Sequence, residues 1–309
     1  MDPDDLMKSL TAETEPAITR SGFVGLLGRP NVGKSTLLNR ILGQKIVITS
    51  PKPQTTRNRV AGVLNRGDVQ MVFFDTPGVH EGEKPINRYM VREALSCLPD
   101  VDVAVFLVDA RAGRHPDDEV LARHLARAGR PVVLAVNKAD VGRTPTEVFT
   151  DLAPAASVHR ISALTGEGVE PLLEDLAGRM PEGPAYFPHD MVTDRPERFL
   201  AQEFIREKLF ELTGEEVPYS VAVTVESWKE KPQTGMVVIH ATIHVERDSQ
   251  KGIVIGKGGR VIKEVGRRAR LDLEGLLGTR VFLDLHVTVD KNWTKDPRAL
   301  RRFGYEVRG

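Results

Sequence analysis

The feature that most constrains this chain is the stretch Gly28–Thr36, which reads GRPNVGKST and fits the pattern G-x-x-x-x-G-K-[ST]. A buried strand, Phe23–Leu27, is predicted directly before it, and apolar residues at helical spacing predict a helix over Ser35–Leu42. A strand, a glycine-rich turn and a helix N-terminus surround a phosphate with backbone N–H groups, and the helix dipole favours its negative charge. The stretch therefore predicts a nucleoside-triphosphate site, with Lys34 at the β- and γ-phosphates and Ser35 on a magnesium ion.

Composition excludes several other classes of protein. The 309 residues carry 43 Lys and Arg against 43 Asp and Glu, so net charge says nothing about partners. The only cysteine, Cys97, excludes a disulfide framework and a cysteine-based metal site, and it suits the reducing cytoplasm. No apolar run is long enough to span a membrane. The acidic stretch 1–20 lacks the apolar core of a signal peptide, so we predict a flexible extension there and a cytoplasmic location.

Domain organisation follows from a change in the order of the predicted elements. Strands alternate with helices over 21–180, which predicts an α/β domain with a mostly parallel sheet covered by helices on both faces. Prolines cluster and periodicity disappears over 181–198, which indicates a linker of limited flexibility. Residues 199–290 follow the order helix, strand, strand, helix, helix, strand, which predicts a second, α+β domain, and 291–309 form a basic tail.

The segments expected to contact the γ-phosphate and magnesium lie after the first helix. Asp75 ends a predicted strand and begins the run DTPG, where it can hold magnesium through water. The Gly78 N–H can bond the γ-phosphate, a contact that exists only before hydrolysis. In the pair Thr55-Thr56, Thr56 is favoured as the residue that closes on magnesium, with Thr55 as the alternative and local turn bonds as the non-functional interpretation.

Two later motifs predict that the base is guanine. Asn137-Lys138-x-Asp140 follows a buried strand, and the Asp140 carboxylate can accept from the guanine ring N–H and exocyclic amine, a donor pair that adenine lacks. Lys138 would lie along the base, and Asn137 would tie the motif to the phosphate loop. Ser162-Ala163, after another short strand, offers a backbone N–H to the guanine carbonyl oxygen. These motifs stand at the C-terminal ends of strands, the edge at which open α/β sheets bind ligands.

The motifs give three sets of candidate residues. The nucleotide-binding set is Gly28, Arg29, Pro30, Asn31, Val32, Gly33, Lys34, Ser35, Thr36, Asp75, Thr76, Pro77, Gly78, Val79, Asn137, Lys138, Asp140, Ser162 and Ala163. The catalytic set is Lys34, Asn31, Thr56 and Gly78, and the magnesium set is Ser35, Thr56 and Asp75. Val79 occupies the position of the water-positioning glutamine of Ras, and the histidine that follows it, His80, is more typical of a plain surface residue. Unaided hydrolysis is therefore expected to be slow.

A glycine loop in the second domain predicts nucleic-acid binding. Gly256-Lys257-Gly258-Gly259 lies between two predicted helices and fits the G-x-x-G loop that clamps nucleic-acid backbone in KH domains. Over Lys251–Arg270 the basic residues face a single acid, Glu264, which is an electrostatic footprint for phosphate. An ordinary turn and a solvated helix face are the alternatives. The candidate RNA-binding residues are Ile255, Gly256, Lys257, Gly258, Gly259, Arg260, Lys263, Arg267 and Arg268.

Together the motifs resemble those of the Era family of bacterial GTPases, within the wider Era and TrmE-like group. The likeness rests on GRPNVGKST at 28–36, PQTTR at 53–57, DTPG at 75–78, NKAD at 137–140, TDR at 193–195 and VIG at 254–256. The resemblance implies a GTPase domain followed by a type II KH domain, with GTP or GDP and Mg²⁺ as ligands. It also implies binding near the 3′ end of 16S ribosomal RNA, a role in maturation of the small (30S) ribosomal subunit, and peripheral inner-membrane contact in some members. We further expect a monomer.

Asn31 suggests how hydrolysis proceeds without a glutamine or an arginine finger. In GTPases that resemble this chain in the phosphate loop, an asparagine at this position coordinates a potassium ion (K⁺) that replaces the arginine. Backbone carbonyls of Gln44–Thr55 are further candidate ligands. The alternative is that Asn31 only stabilises the turn and that a protein partner supplies the missing charge.

Three functions remain in competition at this point. They are an RNA-binding GTPase switch, an RNA-binding protein that holds GTP without turnover, and a P-loop kinase. The motif Asn137–Asp140 argues against the kinase, because ATP-dependent kinases have no use for a guanine-selecting carboxylate. Only measured turnover separates the first two.

Overall fold

The computed structural model describes residues 16–50, 52, 55–79, 85–214 and 216–305. Most of the predicted N-terminal extension, His80 and the motif residues Pro53 and Gln54 lie outside the described residues. The strands are β1 (Arg20–Leu27), β2 (Val60–Arg66), β3 (Val69–Asp75), β4 (Val103–Asp109), β5 (Val132–Asn137), β6 (Ser157–Arg160), β7 (Ala222–Lys231), β8 (Met236–Val245) and β9 (Arg280–Val289). The α-helices are α1 (Lys34–Leu42), α2 (Pro85–Leu95), α3 (Pro116–Ala128), α4 (Val169–Gly178), α5 (Glu197–Leu212), α6 (Asp248–Ile255), α7 (Arg260–Leu277) and α8 (Pro297–Arg302).

Strands β1 to β6 form a sheet in the order β2-β3-β1-β4-β5-β6. Strand β2 is antiparallel to β3, and the other neighbouring strands are parallel. Parallel neighbours need crossover connections, which place helices on the faces of the sheet. The expected α/β fold is confirmed. The carboxyl ends of β1, β3, β4 and β5 therefore meet at one edge of the sheet. The phosphate loop follows β1, the DTPG run begins at the end of β3, and the guanine motif begins at the end of β5.

Helix α1, which follows the phosphate loop, is bounded by glycines and packs on the sheet. It begins after Gly33 and ends at Gly43, and both glycines have positive φ, 103° and 66°, which side-chain-bearing residues rarely adopt. Its apolar residues Leu37 and Leu38 are fully buried against the sheet. Burial of a leucine side chain contributes about 1.5–3 kcal/mol, so the helix and the loop before it are held on the sheet by packing.

The second domain consists of a sheet in the order β7-β8-β9 with helices packed on it. Strands β7 and β8 are antiparallel, and β8 and β9 are parallel. Ile205 of α5, Val254 of α6 and Val265 of α7 meet in its core. The predicted element order is confirmed. A 3₁₀ turn over Val217–Ser220, which contains Pro218, separates α5 from strand β7.

The linker packs on the first domain, and the tail packs on both domains. Thr193 donates its hydroxyl to the Ala61 carbonyl at 2.7 Å, so the linker runs along the edge strand β2. In the tail, Trp293 is 1% exposed and donates to the Ser220 carbonyl at 2.9 Å. Tyr305 is also buried and lies in one apolar cluster with residues of α2. These two aromatic side chains therefore pack inside the protein and do not stack on a ligand.

Candidate guanine-nucleotide site and nucleic-acid interface

The phosphate loop, Gly28–Thr36, depends on two glycines for close packing as well as for its shape. A Cβ on Gly28 would stand 2.7 Å from the Leu107 carbonyl oxygen. A Cβ on Gly33 would stand 2.3 Å from Asn137 Nδ2, in addition to its φ of 103°. These contacts press the loop onto the ends of β4 and β5. The loop is thereby in contact with the guanine motif, as the sequence predicts for Asn137.

Lys34 is folded into the phosphate loop. Its ammonium donates to the carbonyls of Gly28 at 2.9 Å and Arg29 at 3.0 Å. Burial lowers the pKa of Lys34 to about 8, with the Asp75 charge acting in the opposite direction. A phosphate bound at the loop would raise the pKa of Lys34 again, so the ammonium would stay charged beside the phosphate.

Three oxygen ligands converge at the predicted magnesium position. Ser35 Oγ lies 2.7 Å from Asp75 Oδ2 and 2.9 Å from Thr56 Oγ1, and Thr56 Oγ1 lies 3.3 Å from the same carboxylate oxygen. Asp75 is fully buried, and this burial raises its pKa to about 6. Its other oxygen, Oδ1, is buried without a hydrogen-bond partner. A divalent cation that prefers oxygen ligands would satisfy this set, so the residues present fit Mg²⁺.

The structure also separates the two candidate threonines. Thr55 donates its hydroxyl to the Lys52 carbonyl at 2.9 Å, which is a local turn bond, whereas Thr56 faces Ser35 and Asp75. In the described part of the chain no group of three His, Cys, Asp or Glu residues could hold a metal. Because Mg²⁺ prefers octahedral coordination, Ser35, Thr56 and Asp75 would leave positions for nucleotide oxygens or water.

The guanine motif is held by contacts within the protein. Asn137 Nδ2 donates to the Val32 carbonyl at 2.6 Å, and this bond ties the motif to the phosphate loop as predicted. Asp140 Oδ1 accepts from Ser162 Oγ at 2.7 Å. The Ala163 N–H donates to Asn137 Oδ1 at 2.9 Å, so its predicted bond to guanine would require this contact to be given up, and that role stays a prediction.

A cavity of about 510 Å³ lies over the phosphate loop. It is lined by Pro30, Asn31, Gly33, Lys34, Ser35, Thr36, Ile48, Thr49, Ser50, Thr55, Thr56, Gly78, Arg111 and Lys138. Arg111 was not predicted, because no local pattern distinguishes it from other loop residues, whereas residues 48–50 belong to Gln44–Thr55, predicted as a source of potassium ligands. Gly78 packs directly against the phosphate loop: a Cβ at this position would stand only 2.6 Å from the Pro30 nitrogen. Val79 is buried and offers no polar group at the position of the missing glutamine.

The segment that carries Thr56 is clamped by the second domain; we call the described residues of 44–57 the switch segment. Arg206 of α5 donates to the Thr55 carbonyl, and Glu207 accepts from the Thr49 N–H at 2.9 Å. Arg57 of the switch segment in turn donates to the second domain, to the Val221 carbonyl at 2.7 Å. Arg57 is 3% exposed, and Arg206 and Glu207 are each 1% exposed. Such buried charges are tolerated only when they are paired, so this contact is specific.

The glycine loop between α6 and α7 exposes backbone. Gly256, Gly258 and Gly259 all have positive φ, at 70°, 63° and 77°. No atom lies within 4 Å of a Cβ built on Gly258, so the space in front of this residue is open. Farther along α7, a groove of about 420 Å³ lies between this helix and strand β9. It is lined by Ile262, Lys263, Gly266, Arg267, Arg270, Val281, Phe282, Leu283 and Leu285.

The groove changes the set of predicted RNA-binding residues. Arg270 and Phe282 line it although neither was predicted, and Phe282 exposes 52% of its surface on the edge strand β9. An exposed aromatic ring beside arginines is the signal that could have identified this strand. Arg267 and Arg268 both bond Glu264, but Arg268 does not line the groove and also contacts Glu211 of α5. The predicted role of Arg268 is therefore less favoured than that of Arg267.

Comparison with known proteins places both halves of the chain. The sequence model of a family described as 50S ribosome-binding GTPase matches residues 23–138, and that of the KH domain matches residues 216–294. The GTPase Era of Geotalea uraniireducens is 53% identical over 292 residues, which cover 93% of this chain and 98% of that protein. The chain belongs to the Era family of GTPases.

Other Era proteins support the same assignment. The GTPase Era of Thermotoga maritima is 48% identical, with 92% of this chain and 97% of that protein covered. A solved structure of Era with MgGDPNP and nucleotides 1506–1542 of 16S ribosomal RNA matches with a TM-score of 0.88 at 40% identity, covering 94% of this chain and 100% of that chain. An Aquifex aeolicus Era variant bound to GDP·AlF₄⁻ also matches with a TM-score of 0.88, at 41% identity and with 93% and 100% covered.

This Era-family chain is therefore a GTPase whose ligands are GTP, GDP and Mg²⁺. Its P-loop GTPase fold is followed by a KH domain. Among the residues that the structure describes, no helix is both long and apolar enough to cross a membrane.

Proposed function

We propose that this protein is a GTP-driven switch that binds the 3′-end region of 16S ribosomal RNA and acts in assembly and maturation of the 30S subunit. The observation that carries the proposal is the position of Thr56. It faces the magnesium ligands, while Thr55 before it and Arg57 after it both bond the KH domain. A γ-phosphate that draws Thr56 onto magnesium would thereby also fix where the RNA-binding groove lies.

The proposed site follows from the geometry above. Lys34 and the backbone of the phosphate loop bind the β- and γ-phosphates, and the Gly78 N–H bonds the γ-phosphate. Magnesium would be held by Ser35 and Thr56 directly and by Asp75 through water, where it offsets charge on the phosphates. The guanine motif and Ser162 hold the base, and Asn31 faces the remaining side of the phosphates.

We assign the RNA contacts to the glycine loop and to Lys263, Arg267 and Arg270 of the groove, with Phe282 as a platform for a base. Replacing Arg267 and Arg270 together by alanine should weaken binding to every RNA and lower the slope of log K against log salt by up to about two. The measurement is a salt titration of binding to a 16S 3′-end oligonucleotide. Arg268→Ala is the matched control, because Arg268 lies on the same helix but does not line the groove, and an equal loss in the control would refute the groove assignment.

The contact between α5 and the switch segment yields a second prediction. Arg206→Met removes the donor to the Thr55 carbonyl at a site that is 1% exposed. We expect the Kd for GTP to rise about tenfold while the Kd for GDP changes less than about twofold, because Thr56 contacts magnesium only when the γ-phosphate is present. Both constants can be measured with fluorescent nucleotides. Arg268→Met is the control on the same domain, and an unchanged GTP to GDP ratio in Arg206→Met would contradict the coupling.

Potassium should accelerate hydrolysis, and sodium should not. Asn31 has a φ of 62°, and its side chain lies in the wall of the nucleotide cavity together with Thr49 and Ser50 of the switch segment. An amide oxygen and backbone carbonyls there suit a monovalent cation between the β- and γ-phosphates. Single-turnover hydrolysis at constant ionic strength compares the two salts. Asn31→Ala should remove the difference with little change in GTP affinity, whereas equal wild-type rates would leave a protein partner as the source of the charge.

The wider biological part of the proposal rests on the family. It comprises a cytoplasmic monomer, action on the small ribosomal subunit and peripheral contact with the inner membrane. Cosedimentation with 30S particles, in GTP and in GDP, tests the subunit contact, and flotation with anionic vesicles tests the membrane contact.

A further inference from the structure

A chain of alternating charges runs beside the nucleotide cavity from helix α3 to the guanine motif. Arg29 Nε lies 3.6 Å from Asp118 Oδ1, and Arg29 Nη2 lies 3.7 Å from Asp109 Oδ2. The same oxygen of Asp109 accepts from Lys138 Nζ at 2.6 Å. Asp118 is fully buried, and Asp109 is 4% exposed. The alternation of sign offsets the cost of burying these groups.

Asp109 is the central member of this chain. It ends strand β4 directly opposite Asn137 in the register of the sheet. Its Oδ1 accepts from the backbone N–H groups of Arg111 at 2.8 Å and Ala112 at 3.2 Å, so the loop after β4 fixes the carboxylate. Burial opposes ionisation of Asp109, but the hydrogen bond and charge of Lys138 hold its pKa below the ordinary value. The carboxylate is therefore both immobile and charged.

Lys138 needs such an anchor. Its φ of 66° lies in the left-handed region, and its side chain lines the nucleotide cavity. The bond to Asp109 fixes the ammonium at the far end of the side chain, so the aliphatic stem is held along the wall of the cavity. An unanchored lysine would lose side-chain entropy when a base binds against it. Because the Asp109 bond has already fixed Lys138, base binding does not carry this entropic cost.

Arg29 brings the phosphate loop to the same carboxylate. Its Nε and Nη2 atoms are buried without a hydrogen-bond partner in the described structure, so the neighbouring carboxylates of Asp109 and Asp118 are what offset its charge. One carboxylate thus faces a cation from each half of the nucleotide site, the half that holds the phosphates and the half that holds the base.

We propose that Asp109 is a positioning residue for guanine-nucleotide binding, which fixes the Lys138 ammonium and, through Arg29, links the guanine motif to the phosphate loop. The inference rests on the proposed assignment of the guanine site to Asn137–Asp140. Because the base is common to both nucleotides, the residue acts on GTP and GDP alike and not on the chemical step.

The test is a double-mutant cycle with Asp109→Asn and Lys138→Ala. Asp109→Asn keeps an oxygen for the Arg111 N–H and removes the charge. It should raise the Kd values for GTP and GDP each by about tenfold, with kcat at saturating GTP within about twofold of wild type. In the Lys138→Ala background the same change should cost clearly less, at most about two- to threefold, because only the link through Arg29 is then left to break. Asp151→Asn, which breaks an exposed pair with Arg114, is the control and should leave both affinities unchanged.

Unchanged affinities in Asp109→Asn would overturn the proposal. It would also be overturned if Asp109→Asn caused the same loss of affinity with and without Lys138, because Asp109 would then have a purely structural role. If Asp109→Asn does not fold, Asp109→Ser retains a short acceptor for the Arg111 N–H and is measured in its place. Asp140→Asn separates the proposal from its premise. If that variant binds GTP normally, the guanine site is wrongly assigned, whereas a normal Asp109 variant beside an impaired Asp140 variant overturns the positioning role alone.

Discussion

Asp140→Asn should weaken GTP binding by about 2–4 kcal/mol, which corresponds to a roughly 30- to 1000-fold rise in Kd. The carboxylate is held in place by the Ser162 hydroxyl at 2.7 Å. It is expected to accept from two donors of guanine. The asparagine amide would instead direct N–H donors at one of them, so one charge-assisted bond is lost and a mismatched donor is left in its place.

The same substitution should let xanthosine triphosphate bind, because its additional carbonyl can accept from the new amide. Competition of GTP and xanthosine triphosphate for a fluorescent nucleotide measures both effects. Asp151→Asn on the protein surface is the matched control for removal of one carboxylate charge. A variant that binds GTP as tightly as wild type would show that Asp140 does not select the base.

Gly258→Asp should reduce RNA affinity by about a hundredfold or more, the other large effect expected here. Gly258 has a φ of 63° and open space in front of it, so a side chain there would project to where the phosphate backbone must approach. Aspartate tolerates this left-handed conformation better than most residues, so the fold should be retained. The added negative charge then repels the phosphates directly.

Binding of the 16S 3′-end oligonucleotide and GTP hydrolysis without RNA are the two measurements. Hydrolysis should stay within about twofold of wild type, because the loop is far along the chain from the phosphate site and belongs to the other domain. Gly275→Asp adds the same charge on α7, the helix that follows the loop, at a position with nothing within 4 Å, and it should bind RNA normally. RNA affinity that is unchanged in Gly258→Asp would exclude a KH-type contact at this loop.

Local sequence was sufficient wherever the chemistry depends on a short stretch of backbone. The phosphate loop needs Gly33 at positive φ and a helix directly after it, and both are visible as glycines and spacing in the sequence. The contact of Asn137 with the loop also follows, because parallel strands end at one edge of the sheet. The fold class was predicted for the same reason, since buried strands and amphipathic helices have different periods.

Tertiary structure decided which members of a predicted set can act together. Thr55 and Thr56 are adjacent and chemically identical, and only the fold turns Thr56 toward Ser35 and Asp75. Arg267 and Arg268 have the same charge and both bond Glu264, but the helix places Arg267 in the groove and turns Arg268 toward Glu211 of α5. Neither choice is visible in a list of residue types.

The sequence by itself determined the two domains, the guanine nucleotide and the glycine loop, because each is specified by residues that are neighbours along the chain. The tertiary structure alone decided that Arg206 and Glu207, which look like a solvated helix face, are buried against the switch segment. It likewise brought Arg29 to Asp109. Such pairs join residues that are far apart in sequence. Burial of a charged side chain is unfavourable unless its partner is nearby, and only the folded structure shows which partner that is.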